Sequence, residues 1–331
     1  MSTSSSDPAG PRVADSAPPG GDHGAGRIAI DIGATKTVVA YYHGTAPEVL
    51  RRFLTPAEPE AALEAMVAAV AAAPAPAREV GIGAPGPLDP RGGVILEPPN
   101  LRRWWGFPLK ERLEAELQLP VTIDNDATVG ALGEAVFGSG RGYSSVYYIT
   151  ISTGIGAGLV IDGSVFGGHA GLAGEVHAFR PGNFAGRNDG WNVIDLASGP
   201  GLIRRTRHRL KQGAESSLTA EDLDTRKILA ALEENDPLAV EIMEDARNAM
   251  AAVVMGVLYA LAPEIVVLAG GLCTDNRWYV TPVQERVREW LAYSELRDIP
   301  IARAELWDSA VLWGASVLSE ERRFGSRRDG T

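Results

Sequence analysis

Three short segments of this 331-residue chain carry side chains suited to phosphate and hydroxyl chemistry. The first, IDIGATK, places the carboxylate of Asp31 just before a turn of small residues and the ammonium of Lys36 just after it. A carboxylate there suits a Mg²⁺ ion held through water, and the backbone amides of such a turn suit phosphate oxygens. One structural alternative stays open at this point, namely a hairpin turn in which Asp31 only caps the loop.

The second segment, STGIGAG, repeats the design of the first. RIAIDIGATKTVVAYY and SVYYITISTGIGAGLVIDG each place a Gly-rich loop between two strand-like runs of β-branched residues. Glycines at 154, 156 and 158 let the backbone approach a polyanion closely. The repeat predicts two lobes of similar build that present their loops to a shared cleft.

The third segment, TIDNDA, follows a strand-like run and precedes a helical pattern. Asp124, Asn125 and Asp126 are all residue types favoured at a helix N-cap, so one of them is expected to cap the helix that follows.

Strands and helices alternate around these segments. FPLKERLEAELQLP repeats leucine every four residues and predicts an amphipathic helix, whereas EIVVLAGGL predicts a buried strand that ends at two glycines. This alternation predicts an α/β fold. The GIGAPG segment fits a dinucleotide fingerprint poorly, because Pro85 and Pro87 interrupt the helix that should follow, and the chain contains no Walker-type P-loop motif.

The amino-acid composition of the chain disfavours several classes of function. With 31 basic and 42 acidic residues the formal net charge is −11, which disfavours binding to nucleic acid or to an anionic membrane surface. A single cysteine, Cys273, favours a reducing compartment, so the expected location is the cytoplasm. The run from Ala249 to Ala262 is too short to span a bilayer and predicts a buried helix. The Pro-, Gly- and Ser-rich residues 1–26 predict a disordered tail without a secretory signal.

Taken in order, seven segments resemble the ROK family of bacterial sugar kinases, epimerase-kinases and repressors, which belongs to the actin-like ATPases. They are IDIGATK, GAPGPLD, NLRRWWGFPLKERLEAELQLPV, TIDNDATVGALGE, TISTGIGAG, GLAGEV and VLAGGL. The resemblance implies a two-lobed actin-like ATPase (ribonuclease H-like) α/β fold with a cleft between the lobes. It predicts an N-terminal lobe of residues 27–123 plus 308–323, a C-terminal lobe of residues 124–307 and a tail of residues 324–331.

The resemblance also implies roles for individual residues. Asp126 is the expected general base. The residues expected to bind the sugar are Asn125, Asp126, Glu175, His177 and Asp195. Those expected to bind ATP are Asp31, Gly33, Ala34, Thr35, Lys36, Thr153, Gly154, Gly156, Gly158, Gly270 and Gly271. Asp31 would in addition hold Mg²⁺ through water.

The chain departs from the family pattern after Glu175. The usual cysteine-rich zinc motif is missing, and His169 and His177 alone cannot complete four ligands, so zinc is not expected. His177 lies one position earlier than the family's sugar-binding histidine. Asp195 stands near the place of a sugar-binding glutamate, and its role as a substitute or as a plain loop acid stays open. Ala34 replaces the usual glycine of the first loop.

The expected function is ATP- and Mg²⁺-dependent phosphorylation of the 6-hydroxyl of a glucose-type hexose. The altered segment between His177 and Asp195 favours a modified hexose, such as the amino sugar kanosamine (3-amino-3-deoxyglucose) of an antibiotic pathway. The alternatives are an ordinary glucokinase and a sugar-sensing regulator without turnover. A DNA-binding repressor is not expected, because residues 1–26 contain one basic residue and no helix-turn-helix pattern. The family resemblance suggests a homo-oligomer.

Overall fold

The structure, a computed structural model, describes residues 26–182 and 190–320. The predicted tail 1–26 therefore lies outside the described residues except for Gly26, and the predicted tail 324–331 lies outside them entirely. Within the described ranges, the chain forms two five-stranded sheets, a small hairpin and ten α-helices.

The first half of the chain builds one sheet and the small hairpin. Its strands are β1 (Gly26–Ile32), β2 (Lys36–Tyr42), β3 (Pro47–Leu54), β4 (Ala77–Ala84), β5 (Leu88–Asp89), β6 (Val94–Ile95) and β7 (Val121–Asn125). The spatial order of the sheet is β3-β2-β1-β4-β7, and β5 and β6 form the hairpin. The pairs β1–β2 and β2–β3 are antiparallel, whereas β1–β4 and β4–β7 are parallel.

The second half builds a sheet of the same design. Its strands are β8 (Ser145–Ile151), β9 (Ile155–Ile161), β10 (Ser164–Val165), β11 (Ile265–Ala269) and β12 (Ile301–Arg303). The spatial order is β10-β9-β8-β11-β12, again with an antiparallel hairpin followed by parallel neighbours. The predicted internal repeat is therefore confirmed at the level of topology.

The helices fall into an inner pair and two outer groups. Their bounds are α1 (Pro59–Val70), α2 (Leu109–Leu117), α3 (Asp126–Phe137), α4 (Val193–Ala197), α5 (Gly199–Lys211), α6 (Thr225–Glu233), α7 (Pro237–Leu261), α8 (Val280–Trp290), α9 (Ser294–Arg297) and α10 (Ala310–Ala315). Helices α1 and α2 share a core with the first sheet, and α4 to α8 share a core with the second. A third core joins both sheets through α3 and α10.

The inner helices α3 and α10 touch through backbone atoms. A β-carbon on Gly133 would lie 2.2 Å from the carbonyl oxygen of Ala310, and one on Gly314 would lie 1.8 Å from that of Val129. Neither position has room for a side chain, because real β-carbons do not approach backbone oxygens so closely. The glycines thus set the spacing between the helix that begins at Asp126 and the final helix.

Several local predictions are confirmed. The leucine-rich segment forms α2, with Leu109 and Leu113 buried, and the apolar run before residue 262 forms the second half of the mostly buried α7. Of the two neighbouring tryptophans that precede α2, Trp104 is fully buried and Trp105 is half exposed. Among the described residues, the structure contains no helix of the length and apolar character that a bilayer crossing requires.

Candidate active site

The loop between β1 and β2 is closed by hydrogen bonds to its own backbone. The amide of Gly33 donates to the carbonyl of Lys36 at 2.9 Å. Thr55 donates its hydroxyl to the carbonyl of Gly33 at 2.7 Å and its amide to the carbonyl of Thr35 at 3.0 Å. Ala34, Thr35 and Lys36 remain exposed. The loop is held at both ends, and its tip faces outward.

Asp31 lies near the end of β1, in an environment with an excess of negative charge. Burial, together with the nearby carboxylates of Asp126 and Asp308, raises the pKa of its carboxyl to about 7. The cations of Lys36 and Arg52 act in the opposite direction. A carboxylate so placed is stabilised when a cation binds beside it.

The turn from β7 into α3 places two polar side chains at a helix N-terminus. Asn125 is the N-cap, and its side-chain oxygen accepts a hydrogen bond from the amide of Ala127 at 2.9 Å. Asp124 accepts one from the amide of Asn125 at 2.8 Å. A β-carbon on Gly86 would lie 2.7 Å from the side-chain nitrogen of Asn125, so the absence of a side chain there leaves the amide its space. The expected cap is thus Asn125, which caps the helix beside Asp126.

Asp126 is the first residue of α3, and its carboxylate accepts a hydrogen bond from the amide of Ala127 at 2.7 Å. Burial and the carboxylate of Glu175 together raise the pKa of Asp126 to about 6, against the lowering effect of that hydrogen bond. A carboxyl with a pKa near 6 is mostly ionised at neutral pH and is a stronger base than an ordinary aspartate.

The loop between β8 and β9 carries no charge and presents its backbone. The amide of Ser152 donates to the carbonyl of Gly154 at 2.9 Å, and Thr153 is exposed. A β-carbon on Gly154 would meet nothing within 4 Å, whereas one on Gly156 would lie 2.7 Å from the side chain of Ala127 and one on Gly158 would lie 2.8 Å from that of Ala131. Gly154 therefore leaves space for a ligand, and the other two glycines allow β9 to pack on α3.

Two glycines follow β11 beside this loop. Gly270 has a φ of 89°, and a β-carbon there would lie 2.4 Å from the carbonyl oxygen of Ile151. Gly271 has open space where a side chain would point. Close packing therefore requires glycine at position 270, whereas Gly271 leaves open space after β11.

Glu175 and His177 lie together opposite Asp126. The Nδ1 atom of His177 is 3.0 Å from Oε2 of Glu175, and the glutamate side chain is only a quarter exposed. Tyr147 donates its hydroxyl to the carbonyl of Gly174 at 2.5 Å and so ties this segment to β8. Glu175 also lies close enough to Asp126 for the two carboxylates to interact electrostatically.

Asp195 belongs to α4, and its carboxylate pairs with Arg204 on α5. Backbone hydrogen bonds connect α4 and the start of α5 to two other segments. The amide of Ile194 donates to the carbonyl of His177 at 3.1 Å, and the amide of Gly199 donates to the carbonyl of Ser152 at 2.8 Å. The corner between α4 and α5 therefore links the segment of Glu175 to the loop between β8 and β9.

Helix α5 is strongly basic, and three of its four arginines pair with carboxylates of the same lobe. Arg205 is buried, pairs with Asp245 and donates to the carbonyl of Ile242 at 3.2 Å. Arg209 donates to both oxygens of Glu241, at 2.8 and 3.1 Å. These internal pairs neutralise much of the positive charge that the sequence concentrates in this helix.

The comparisons with known proteins agree with this geometry. The model of the "ROK family" matches residues 27–322. The chain belongs to the ROK family. It is 30% identical over 310 residues to a glucokinase of Streptomyces coelicolor, covering 89% of this chain and 97% of the relative.

Two solved ROK structures support the same assignment. The ROK hexokinase of Thermus thermophilus matches with a TM-score of 0.75 at 30% identity, covering 88% of this chain and 97% of that one. The ROK glucokinase of Streptomyces griseus, solved with glucose and AMPPNP, matches with a TM-score of 0.71 at 29% identity, covering 88% and 98%. The predicted two-lobed actin-like fold is confirmed, and the findings support a glucokinase-like sugar kinase. The lobe boundaries stay predictions.

ROK regulators are also among the relatives. A xylose repressor of Caldicellulosiruptor bescii is 31% identical over 256 residues, covering 74% of this chain and 63% of the repressor. The family therefore includes proteins of a second class, and the presence of the fold alone does not decide between them.

The structure brings four of the predicted ROK site residues close together. Asp31, Asp126 and Glu175 are coupled electrostatically, and His177 contacts Glu175. Asp195 differs, because its carboxylate is engaged by Arg204. The individual roles in binding and catalysis stay predictions.

Sequence reasoning missed three residues of this cleft. Thr55 closes the first loop from the end of β3, Gly86 makes room for Asn125, and Asp308 adds negative charge beside Asp31. Gly86 belongs to the GAPGPLD segment of the resemblance, which was the available signal. Thr55 and Asp308 lie outside every motif, so nothing local to them indicated a role.

The described side chains offer few ligands for a metal ion. Among the residues described by the structure, no three His, Cys, Asp or Glu side chains cluster in a way that could hold a metal ion. A Mg²⁺ ion that arrives with ATP needs fewer protein ligands, because it keeps several waters and takes phosphate oxygens. Asp31 fits that role as a single carboxylate next to an exposed, amide-lined loop.

Proposed function

We propose that this chain transfers the γ-phosphate of ATP to the 6-hydroxyl of a glucose-type hexose, and that it accepts an amino hexose such as kanosamine. The observation that carries the proposal is the position of Asp126. Its carboxylate lies at the N-terminus of α3, is coupled to Asp31 on one side and Glu175 on the other, and has a pKa raised to about 6.

Asp126 acts as the general base. Its carboxylate accepts the proton of the attacking hydroxyl, and a pKa near 6 suits that task at neutral pH because the group is ionised yet basic. Asn125 orients the sugar with its side-chain amide, which Gly86 leaves room for. Glu175 accepts hydrogen bonds from sugar hydroxyls, and His177 orients the glutamate through its 3.0 Å contact.

ATP binds across the two loops. The exposed tip of residues 33–36, the open backbone at Gly154 and the gap at Gly271 supply amide groups and space for the phosphates and the adenosine. A bound Mg²⁺ ion supplies charge neutralisation at the transferred phosphoryl group. Lys36 adds a cation at the edge of the first loop.

The amino-sugar preference follows from charge. Asp126 and Glu175 face one space, and an ammonium group placed between them gains attraction that a hydroxyl does not. Asp195 contributes little to this field, because Arg204 neutralises it. The preference therefore rests on Glu175, which stands just before the altered segment between His177 and Asp195.

An ADP-release assay across glucose, glucosamine, kanosamine, mannose and N-acetylmannosamine tests the proposal. We expect kcat/KM for kanosamine to equal or exceed that for glucose, with glucosamine between them. Glu175→Gln should weaken use of the amino sugar more than use of glucose. A preference for glucose of more than tenfold, about 1.4 kcal/mol, would reduce the proposal to an ordinary glucokinase.

The second candidate function is a sugar-sensing regulator without turnover, which the repressor relatives favour. It predicts sugar binding without ADP release. Isothermal calorimetry with glucose, run beside the kinase assay, separates the two, since a regulator releases heat on binding but produces no ADP.

We further propose a cytoplasmic homo-oligomer that works on small sugars and not on nucleic acid. Cys273 is buried and its thiol has a raised pKa, as suits a structural thiol in a reducing compartment. Light scattering on the purified protein measures the mass directly, and a monomer at micromolar concentration would contradict the oligomer.

A further inference from the structure

Two connections link the halves of the fold, and both reach the same buried carboxylate. The first connection, residues 138–144, runs from the end of α3 to β8. The second connection, residues 304–309, runs from the end of β12 to α10. The side chain that both connections reach is that of Glu134, which lies on α3 and is fully buried.

The carboxylate of Glu134 accepts three backbone hydrogen bonds. Its Oε2 atom accepts one from the amide of Ser139 in the first connection at 2.9 Å and one from the amide of Glu305 in the second connection at 3.1 Å. Its Oε1 atom accepts one from the amide of Leu306 at 2.7 Å. A β-carbon on Gly138 would lie 2.1 Å from Oε2, so the glycine leaves room for the carboxylate. One buried side chain therefore ties the two connections together.

The second connection contains a residue in an uncommon backbone conformation. Trp307 has a φ of 54°, in the left-handed region that bulky residues rarely adopt. The hydroxyl of Ser309 donates to the carbonyl of Leu306 at 2.5 Å, and the guanidinium of Arg303 lies 4.5 Å from the centre of the Trp307 ring. Together with the buried carboxylate, these contacts fix the backbone on either side of Asp308.

The fixed turn brings Asp308 near Asp31. Asp31 pairs with Gly83 in the first sheet, and a β-carbon on Gly83 would lie 2.4 Å from the side chain of Val311, the second residue of α10. Asp308 precedes Val311 by three residues and is exposed. It lies close enough to Asp31 for the two carboxylates to interact electrostatically. The start of α10 is thus packed against the strand next to Asp31.

Two neighbouring carboxylates repel each other unless a cation binds beside them. Asp31 is the acid expected to hold, through water, the Mg²⁺ ion that ATP brings. Asp308 adds a second carboxylate, which is the type of protein ligand that Mg²⁺ prefers. Because this ion keeps several of its waters and takes phosphate oxygens, one or two carboxylates are enough to bind it.

We propose that Glu134 is a positioning residue of the ATP site: it holds the turn that places Asp308 beside Asp31, and Asp308 is a second acid for the Mg²⁺ ion of MgATP. The proposal rests on the proposed function, because it assumes that ATP binds at the loop between β1 and β2. It adds to that site an acid from the last connection of the fold and the anchor that positions it.

Calorimetry tests the proposal by measuring the Kd for MgATP and for ATP in EDTA, with no sugar present. Asp308→Asn should raise the Kd for MgATP about tenfold. It should leave the Kd for metal-free ATP unchanged or lower, because the variant has lost a negative charge that repels phosphate. Glu134→Gln should change both constants in the same directions, since glutamine keeps the size of the side chain but offers one acceptor oxygen to three amides.

Asp236→Asn is the matched control. Asp236 is also a buried carboxylate that accepts hydrogen bonds from three backbone amides, those of Ser217, Leu238 and Ala239, at 2.6, 3.0 and 3.0 Å. It caps α7, which belongs to the core of the second sheet. Its substitution removes the same kind of acceptor and should lower the unfolding temperature, but the Kd for MgATP should stay within about twofold of the parent.

A double variant tests whether Glu134 acts through Asp308. If it does, adding Glu134→Gln to Asp308→Asn should raise the Kd for MgATP by less than about twofold, whereas independent effects would multiply. Ser309→Ala provides a milder change, because it removes the hydroxyl bond to the carbonyl of Leu306 and leaves every buried charge in place. It should weaken MgATP in the same direction by a smaller factor, and it decides the question if Glu134→Gln does not fold.

Three results would overturn the inference and leave the proposed function intact. Glu134→Gln may bind MgATP as tightly as Asp236→Asn does, the effects of Glu134→Gln and Asp308→Asn may multiply in the double variant, or, where Glu134→Gln does not fold, Ser309→Ala may bind MgATP like the parent. If the parent protein itself shows no ATP binding that depends on Mg²⁺, the proposed function fails and the inference fails with it.

Discussion

The two hairpins that face the cleft share a topology and differ in chemistry. The loop between β1 and β2 is flanked by Asp31 and Lys36, whereas the loop between β8 and β9 carries no ionisable side chain. The glycines of the second hairpin serve packing and space, because Gly158 lies against α3 and Gly154 is open. One repeat thus supplies charge to the cleft, and the other supplies backbone and room.

Helix α3 stands between the two hairpins and takes its properties from both. Its first residue, Asp126, is coupled to the charged loop through Asp31, and its next turns pack against the uncharged hairpin through Gly156 and Gly158. A repeated fold therefore does not imply a repeated chemical role. The following predictions test this division of labour.

The largest effect is expected for Asp126→Asn. The substitution keeps the shape and the hydrogen bond from Ala127 but removes the proton acceptor, so kcat should fall by roughly 10² or more. Steady-state kinetics with saturating ATP and the best sugar measures the loss. A variant rate near that of the parent would show that Asp126 is not the base, and binding of ATP should be little changed.

Substitution beside the charged loop should lower kcat/KM for MgATP far more than substitution in the uncharged loop. Asp31→Asn removes the carboxylate next to the phosphate loop and should lower kcat/KM for MgATP by about 10-fold to 100-fold, that is about 1.4 to 2.7 kcal/mol. Thr153→Ala, at the exposed tip of the second loop, should change the same quantity less than threefold. Equal losses in the two variants would contradict the assignment of charge to the first hairpin alone.

Two glycines of the second hairpin should respond differently to substitution by alanine. Gly158→Ala puts a β-carbon 2.8 Å from that of Ala131 and should destabilise the protein by about 1–3 kcal/mol, the usual cost of overpacking. Gly154→Ala meets no atom within 4 Å, so it should leave unfolding unchanged and raise KM for ATP instead. Urea denaturation of both variants, together with ATP kinetics, distinguishes a packing glycine from a ligand-facing one.

The smallest effect concerns pH and stability. The pKa of Asp31 is raised from 3.8 to about 7 by burial, so the folded state binds a proton more tightly than the unfolded chain. The stability that the folded state gains from this tighter proton binding is fully present below pH 4 and is lost as the pH rises through 7. Asp31→Asn should therefore stabilise the ligand-free protein more at pH 8 than at pH 4.5.

Thermal unfolding at the two pH values measures this difference. Thr153→Ala is again the control. Because it removes no titrating group, the difference in unfolding temperature between this variant and the parent should be the same at both pH values. A stabilisation of Asp31→Asn that is the same at pH 4.5 and pH 8 would mean that the carboxyl of Asp31 is not the group responsible.

Much of the site was predictable because its parts are local. Apolar runs around a glycine turn predict a hairpin, and a polar residue between a strand and a helix predicts a cap, which Asn125 is. The segment around His177 was harder, since the resemblance weakens there. Its contact with Glu175 depends on how residues 174–179 run from their hydrogen bond with Tyr147 on β8 to the start of α4, and no short pattern encodes that path.

The sequence by itself determined which chemical groups are present and which elements carry them: a charged loop, an uncharged loop and an acid at the start of α3. Only the tertiary structure decided which groups meet. Asp308 approaches Asp31 from a distance of 277 positions along the chain, and Arg204 pairs with Asp195 from the next helix. Hydrophobic periodicity and helix capping act over a few residues. The approach of Asp308 to Asp31 depends instead on the packing of α10 against β1 and α3, where Gly133 and Gly314 allow two backbones to touch.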